Sequence, residues 1–360
     1  MFNRYLDDIK VYEAGKPIEL VVREFGIDAK DVIKLASNEN PLGCSPKVVE
    51  VIKKNATKAS IYPDDSMFEL KEELCKRFNI EKNQLIIGAG SDQILEFLSH
   101  AKLNSNSKIL TSNVTFAMYE IYAKQFGAKV IKTASYQHIV SEFKDKIAQE
   151  NPDIVYICTP NNPTGDATKK EDILEIIQAT SKESLVVVDC AYMEYVEDEE
   201  YKLSPNDFIE FENVIYLGTF SKAYGLGGMR VGYGIANSSI IDVLYKVRPP
   251  FNITTLSLAA AIEACRDEEF VKKSIKLNKE QMKRYIEFAN SNNIEYIPSF
   301  TNFITLKFKK PQDSSKIANT LMKNGIIVRD LASYGLNAIR VTIGLEEQNS
   351  KLLEALSKEI

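Results

Sequence analysis

Polar side chains follow several of the short apolar runs in the first two thirds of the chain. Asp189 comes directly after the run Leu185–Val188, and Lys222 lies shortly after the run Val214–Leu217. Arg230 comes eight residues after Lys222, beyond a glycine-rich stretch. A buried carboxylate is costly unless it meets a cation or a hydrogen-bond donor. A lysine buried near other cations can hold a neutral, nucleophilic amine.

A glycine–serine turn follows another apolar run, Leu85–Ile87. Gly90 and Ser91 come just before a predicted helix that begins near Asp92. The free N–H groups and the dipole at the start of a helix favour a phosphate. The Arg230 guanidinium could bind the same phosphate through two of its nitrogens.

Each of these residues also has an ordinary interpretation. The turn could be a simple strand–helix connection, and Asp189 could cap a helix. Lys222 could be a solvated loop residue, and Arg230 could pair with a surface carboxylate. However, ligands bind beyond the carboxyl ends of the strands in open parallel sheets. The order of these polar strand ends therefore predicts one site for a planar, phosphorylated ring with a protonated nitrogen.

The apolar runs predict an α/β fold. Runs without polar alternation suit strands that are buried on both faces, and helix-period stretches lie between most of them. We predict a large domain at residues 46–248, with a mostly parallel central sheet flanked by helices. A smaller α+β domain is expected at 249–360, packed with an N-terminal arm at 1–45. Ser66 and Glu69 predict a capping box at the start of one helix.

Composition argues against several classes of protein. The net charge of −5 is mild and the chain has no long basic run, which disfavours a nucleic-acid partner. No apolar stretch reaches the roughly 18 residues of a membrane span. Five cysteines without C-x-x-C spacing favour reduced thiols in a cytoplasmic protein. The two histidines, His100 and His138, lie near no other candidate ligand, so no metal site is expected.

Several motifs resemble those of histidinol-phosphate aminotransferases, a family of fold-type I, class II aminotransferases. The resemblance covers essentially the whole chain, and the pattern S-K-x-x-G-x-G-G-x-R is its most specific part. The motifs are SKAYGLGGMR at 221–230, NNPTG at 161–165, DCAY at 189–192, SNENPLG at 37–43, YPD at 62–64 and GKPIE at 15–19.

The resemblance implies pyridoxal 5'-phosphate as cofactor. Lys222 would bind it covalently as a Schiff base and then carry a proton during the reaction. Asp189 would pair with the ring nitrogen, and Tyr192 and Asn162 would bond the ring hydroxyl oxygen. Phe116 would stack on the ring, where the family more often has tyrosine. The phosphate would be held by Gly90, Ser91, Asp92, Thr219, Ser221 and Arg230.

The resemblance also implies a set of substrate contacts. Arg340 would bind the anionic end of the substrate. Arg329 and Tyr12 would be second contacts on a substrate phosphate, and Asn302 and Asn40 are placed in the same pocket. The arm departs from the commoner family pattern, because both prolines around Tyr12 are absent.

Tyr62 matches a tyrosine that reaches the cofactor phosphate of a neighbouring subunit. This match implies a homodimer with shared active sites. The alternative is that Tyr62 only forms part of a turn with Pro63 and Asp64.

The implied activity is transfer of an amino group from glutamate to imidazole-acetol phosphate, which gives histidinol phosphate in histidine biosynthesis. Two alternatives remain open. One is an aromatic amino acid aminotransferase with the same catalytic residues. The other is a decarboxylase of the threonine-phosphate type, in which a repositioned anion contact selects a different bond. A non-enzymatic ligand sensor is disfavoured, because no helix-turn-helix pattern is seen.

Overall fold

The computed structural model describes residues 3–7, 9, 11 and 18–360. Its strands, in chain order, are β1 (Ile33–Lys34), β2 (Leu85–Gly88), β3 (Lys108–Thr111), β4 (Lys129–Lys132), β5 (Ile154–Cys158), β6 (Leu185–Asp189), β7 (Val214–Thr219), β8 (Gly232–Ala236), β9 (Glu295–Ile297), β10 (Phe303–Lys307), β11 (Ile326–Ile327), β12 (Arg329–Asp330) and β13 (Ala338–Thr342). Its α-helices are α1 (Ile18–Phe25), α2 (Pro46–Asn55), α3 (Phe68–Phe78), α4 (Ser91–Lys102), α5 (Met118–Gln125), α6 (Val140–Glu150), α7 (Lys170–Ala179), α8 (Ser238–Val247), α9 (Thr255–Arg266), α10 (Glu268–Ser291), α11 (Ser314–Lys323) and α12 (Glu346–Leu356).

Seven strands form the central sheet, in the order β2-β8-β7-β6-β5-β3-β4. All neighbouring pairs are parallel except those of β8, which runs antiparallel to both β2 and β7. The apolar runs named above, Leu85–Ile87, Leu185–Val188 and Val214–Leu217, lie in β2, β6 and β7. The prediction of a mostly parallel sheet in an α/β fold is therefore confirmed.

Alternate residues of each strand pack into opposite helical layers. Val186 and Val188 belong to a core that also contains residues of α3, α6, α7 and α9, whereas Val187 packs with residues of α4, α5 and α8. Because helices cover both faces of the sheet, the interior of each strand is mainly apolar, and charged side chains occur only at the strand ends.

The start of α3 differs from the predicted capping box. Ser66 does not cap the helix; instead, Asp64 accepts bonds from the backbone N–H of Phe68 at 3.2 Å and of Ser66 at 2.9 Å. The hydroxyl of Ser66 also donates to Asp64, at 2.7 Å. The carboxylate of Asp64 thus takes the role that the motif assigned to the Ser66 hydroxyl, while Met67 adopts a left-handed backbone conformation.

The smaller domain contains a four-stranded antiparallel sheet in the order β12-β13-β10-β9. Its core is formed with α10, α11 and α12. The segment before the large domain joins it, because β1 pairs in parallel with β11. The apolar segment Ile326–Val328 leads directly from β11 to β12, and these two short strands belong to different sheets.

Helix α9 packs with the larger core. Leu258, Ala261 and Cys265 belong to the same buried cluster as strands β5, β6 and β7. The predicted boundary at residue 249 placed this helix in the smaller domain, because Pro249 and Pro250 interrupt a helical pattern just before it. We propose that the domain boundary lies within α10, whose Val271 packs in the larger core and whose Tyr285 packs in the smaller one.

Candidate active site

A cavity of about 240 Å³ lies at the carboxyl ends of β5, β6 and β7, beside the start of α4. The sheet brings together every residue that was predicted to bind the cofactor within one chain. Those in the cavity wall are Gly90, Ser91, Asp92, Phe116, Asn162, Asp189, Tyr192, Thr219, Ser221, Lys222 and Arg230. Convergence of these strand ends is what parallel strands of one sheet require.

Asp189 is the last residue of β6 and is only 4% exposed. Its Oδ2 accepts a hydrogen bond from the Tyr119 hydroxyl at 2.8 Å, and its Oδ1 accepts one from the backbone N–H of Ala191 at 3.2 Å. Burial raises the pKa of Asp189 to about 6, while the Tyr119 hydrogen bond opposes that rise. A carboxylate held in this way is suited to a positively charged partner.

Lys222 lies in the same wall, with its Nζ 5.5 Å from the centre of the Tyr192 ring. Burial lowers the pKa of Lys222 to about 8, and the positive charges of Arg340 and Arg230 contribute to the decrease. A lysine with a pKa of about 8 has a substantial neutral fraction near neutral pH. Its amine can therefore attack a carbonyl group.

The start of α4 forms a binding site for an anion. The first N–H groups of a helix have no partner within it, and the Arg230 guanidinium lies close by, donating to the backbone oxygens of Ala89 and Gly227. A Cβ at Gly90 would lie 2.7 Å from Arg230 Nη2, and one at Gly232 would lie 2.2 Å from the Ser91 nitrogen. At position 232 only glycine allows the two backbones to approach so closely, whereas at Gly90 the near atoms belong to the Arg230 side chain. Thr219 lies beside them and donates to Ser221 Oγ at 2.9 Å.

The opposite wall comes from the segment before α2, and Arg340 of the smaller domain supports it without lining the cavity itself. Arg340 of β13 donates to Asn162 Oδ1 at 2.5 Å and to the backbone oxygen of Ala36 at 2.6 Å. Asn38 donates to the Tyr192 hydroxyl at 2.8 Å. Through these contacts, Arg340 comes close enough to Lys222 to affect its pKa.

None of the predicted substrate contacts within the described residues lines this cavity, although Arg340 bonds the wall residue Asn162. Asn40 is buried and donates to the oxygen of Ala223 at 2.9 Å and to Ser274 Oγ at 2.8 Å. Asn302 is also buried and donates to the backbone oxygen of Asn38 at 3.0 Å. Both amides hold the segment 38–40 in place, and in this structure neither faces the cavity.

The remaining predicted contacts lie elsewhere. Arg329 lines a second cavity, which shares Phe116 with the first. Tyr62 is 79% exposed and lies outside the cavity of its own chain, with its ring 4.7 Å from that of Phe251. Tyr12 and residues 15–17 lie outside the described residues.

Sequence reasoning missed several residues that contact the site. Ser37, Asn38, Glu39 and Cys158 line the cavity, and Tyr119 binds Asp189. The first three belong to the SNENPLG motif, which the sequence had already singled out. The motif alone did not reveal which of its two asparagines, Asn38 or Asn40, lines the cavity.

Neither a metal site nor a membrane span is found in the part of the chain that the structure describes. No group of three or more metal-binding side chains occurs there, and no helix there is both long and apolar enough to cross a bilayer. His138, one of the two histidines, is buried and accepts a bond from the backbone N–H of Cys158 at 3.3 Å.

Comparison with known proteins gives consistent results. The family model for aminotransferase class I and II matches residues 30–356. The histidinol-phosphate aminotransferase of Sulfurovum sp. (strain NBC37-1) is 61% identical over 97% of this chain and 96% of its own, and that of Sulfurimonas denitrificans is 59% identical over 99% of both.

A solved structure supports the fold. The histidinol-phosphate aminotransferase of Sinorhizobium meliloti, crystallised in complex with pyridoxal-5'-phosphate, superposes with a TM-score of 0.90. The alignment covers 99% of this chain and 96% of that one, at 24% identity. From the family model and the relatives that are more than half identical over nearly its whole length, the chain belongs to the class I and II aminotransferases and, within them, to the histidinol-phosphate aminotransferases.

Proposed function

We propose that this protein transfers an amino group between glutamate and imidazole-acetol phosphate, with pyridoxal phosphate as cofactor, in histidine biosynthesis. The observation that carries the proposal is the cavity that Lys222, Asp189 and the start of α4 share. One cavity thus offers a nucleophilic amine, a buried carboxylate and an anion site. The full-length relatives named above carry this activity in their names.

The residues present fit the cofactor. Asp189 is buried and its pKa is raised to about 6, so a protonated ring nitrogen would supply the positive charge that favours its ionised form. Gly90 lets the Arg230 guanidinium lie close to the start of α4, so a phosphate at the helix N-terminus would meet a cation there. Phe116 supplies an aromatic face in the cavity wall.

When bound, pyridoxal phosphate supplies an electron-withdrawing ring that carries the amino group from one substrate to the other. Lys222 has two roles in the proposal: its neutral amine holds the cofactor, and its Nζ then moves a proton to and from the substrate carbon. Asp189 keeps the ring nitrogen protonated. Tyr192 and Asn162 orient the ring through its hydroxyl oxygen.

Arg340 is the proposed anion contact for both substrates. It is 8% exposed, and its guanidinium is oriented by Asn162 and the oxygen of Ala36. A guanidinium can bind a carboxylate or a phosphate through two nitrogens. Arg329 is proposed as a further contact for the longer substrate, because the second cavity in which it lies adjoins the first at Phe116.

We extend the proposal to a homodimer in which Tyr62 contacts the cofactor phosphate of the other subunit. The rings of Tyr62 and Phe251 are in contact at a tilt of 32°, and both residues remain exposed, as do Ile61 and Phe68 nearby in the sequence. Exposed aromatic and aliphatic side chains grouped in this way are typical of an interaction surface. A bidentate ion pair from Arg248 to Asp65 holds the chain beside them.

A substrate panel tests the proposed reaction. Purified protein with pyridoxal phosphate and glutamate is offered imidazole-acetol phosphate or phenylpyruvate, and 2-oxoglutarate is measured. We expect a kcat/KM for imidazole-acetol phosphate well above that for phenylpyruvate. The opposite order would support an aromatic aminotransferase, and carbon dioxide release from threonine phosphate would support a decarboxylase. Either result would overturn the substrate assignment.

The dimer has a separate test. Analytical ultracentrifugation is expected to give the mass of a dimer. The variant Tyr62→Phe is expected to remain a dimer and to bind the cofactor more weakly. A monomer that remains active at full rate would overturn the shared site.

A further inference from the structure

Tyr119 is a residue of helix α5 and contacts the Asp189 carboxylate. Its hydroxyl donates to Asp189 Oδ2 at 2.8 Å, and the tyrosine is completely buried. The other oxygen of Asp189 has only the longer bond, at 3.2 Å, from the backbone of Ala191. Tyr119 is therefore the closest hydrogen-bond donor that the described residues offer to this carboxylate.

We propose that Tyr119 is a positioning residue that fixes the Asp189 carboxylate and keeps it ionised for the ring nitrogen of the cofactor. This inference rests on the proposed function, and it adds a second residue to the recognition of the ring. Tyr119 itself makes no contact with the reacting atoms in this proposal. It acts through Asp189.

Packing holds the Tyr119 ring in one orientation. It stacks on Tyr156 of β5, with centroids 4.4 Å apart and planes within 8°, and it meets Phe116 edge to face at 5.6 Å. Burial raises the pKa of the Tyr119 hydroxyl well above its usual range, so the hydroxyl remains a donor. The contact with Phe116 also joins the support of the carboxylate to the residue that is proposed to stack on the ring.

The hydrogen bond favours the charged form of Asp189. Burial alone disfavours the carboxylate anion, and a donor at Oδ2 opposes that effect. Without the donor, the pKa of Asp189 would rise above its value of about 6, so that a larger fraction would be neutral near pH 7. A neutral acid attracts a protonated ring nitrogen less strongly than a carboxylate does.

The test compares Tyr119→Phe with Tyr156→Phe in the full-length apoprotein. Both changes remove one buried hydroxyl from the same stacked pair, but only the hydroxyl of Tyr119 bonds Asp189. Pyridoxamine 5'-phosphate is the probe, because it lacks the aldehyde and so cannot bond covalently to Lys222. Its dissociation constant is measured by titration calorimetry between about pH 5.5 and 9.

In the wild type and in Tyr156→Phe, affinity should fall as the pH decreases through about 6, where Asp189 takes up a proton. In Tyr119→Phe, the midpoint should lie roughly one to two pH units higher, the usual effect of losing a hydrogen bond to a charged group. At pH 6 this shift corresponds to binding about 5- to 50-fold weaker than in the wild type, whereas near pH 9 the affinities should agree.

Coinciding profiles for all three proteins would overturn the role of Tyr119 and leave the proposed function intact. Failure of the wild type to bind the probe at any pH would instead overturn the proposed function. If Tyr119→Phe does not fold, 3-fluorotyrosine at position 119 provides the second test. Its hydroxyl is a stronger donor, so the midpoint should move to lower pH, and an unmoved midpoint would overturn the inference.

Discussion

The two walls of the active-site cavity are built in different ways. On one wall, Ser91, Asp189 and Lys222 follow strands of the same sheet, and their separations are set by strand spacing. The other wall contains Asn38, and it is supported by Arg340, which lies 302 positions later in the chain. They come together because Asn38 bonds Thr342 and Arg340 bonds Ala36.

The two walls should therefore respond differently to the loss of a single side chain. The first wall is supported by a sheet that is buried on both faces, so its geometry should persist when one side chain is removed. The second wall depends on a few hydrogen bonds between distant segments, and loss of one can shift several residues. We therefore expect the first wall to control cofactor binding and chemistry, and the second to control substrate affinity and fine positioning.

The largest effect is expected from Lys222→Ala on the first wall. Turnover should fall by orders of magnitude, because the covalent anchor and the proton carrier are lost together. Cofactor binding should persist in part through Arg230 and the start of α4. Equilibrium dialysis and steady-state kinetics measure the two properties, with Lys279→Ala, an exposed lysine paired with Glu197, as control. Retained turnover in Lys222→Ala would contradict the assignment.

Arg340→Ala tests the second wall. The loss in kcat/KM for glutamate should be roughly 30-fold to several thousand-fold, which corresponds to about 2–5 kcal/mol for one half of a buried charge pair. Arg284→Ala is the matched control, since Arg284 donates to Gln281 and Ser350 far from the cavity. Unchanged kinetics for Arg340→Ala would show that another cation binds the substrate anion.

The pH dependence of cofactor binding tests whether Arg340 affects the Lys222 amine. The neutral fraction of the Lys222 amine increases as the pH rises through its pKa of about 8. The rate at which apoprotein gains visible absorbance with pyridoxal phosphate should therefore increase up to that pH and then level off. Because the charge of Arg340 lowers the pKa of Lys222, Arg340→Gln should move the rise to higher pH. An identical profile in that variant would mean that the two charges do not interact.

The smallest effects are expected within the SNENPLG motif. Asn40→Ala should lower the free energy of unfolding by about 1–3 kcal/mol, because two buried partners lose a donor, while KM stays unchanged. Asn38→Ala should instead reduce kcat/KM a few-fold, because Tyr192 and Thr342 lose their partner. Urea unfolding and kinetics on both variants measure these effects. A raised KM in Asn40→Ala would instead support the prediction that Asn40 contacts the substrate.

The sequence predicted the first wall better than the second. Asp189 and Lys222 were identified because each follows an apolar run, and the order of such runs along a parallel sheet determines where their ends meet. Asn40 and Asn302 were assigned to the pocket from the family resemblance alone. Their amides are used in contacts with Ala223 and Asn38, which no local pattern specifies.

The local pattern also predicted the wrong hydrogen-bond acceptor at the start of helix α3. Ser66 and Glu69 match a capping box, yet Asp64 caps α3. Both Asp64 and Ser66 have oxygens that can accept the N–H bond, and the path of the chain decides between them. Tyr119 was missed for a related reason, since its hydroxyl meets a residue 70 positions away.

The amino-acid sequence by itself determined the α/β fold, the strand positions and the side chains at the strand ends. Hydrophobic periodicity is a local property, and it fixes which residues are buried in a sheet. Only the tertiary structure decided which asparagine faces the cavity, which residue supports Asp189 and how far Arg340 lies from the lysine. Those outcomes depend on hydrogen bonds and charges between segments that are distant in the chain, where position in space determines the pKa and the partner of each group.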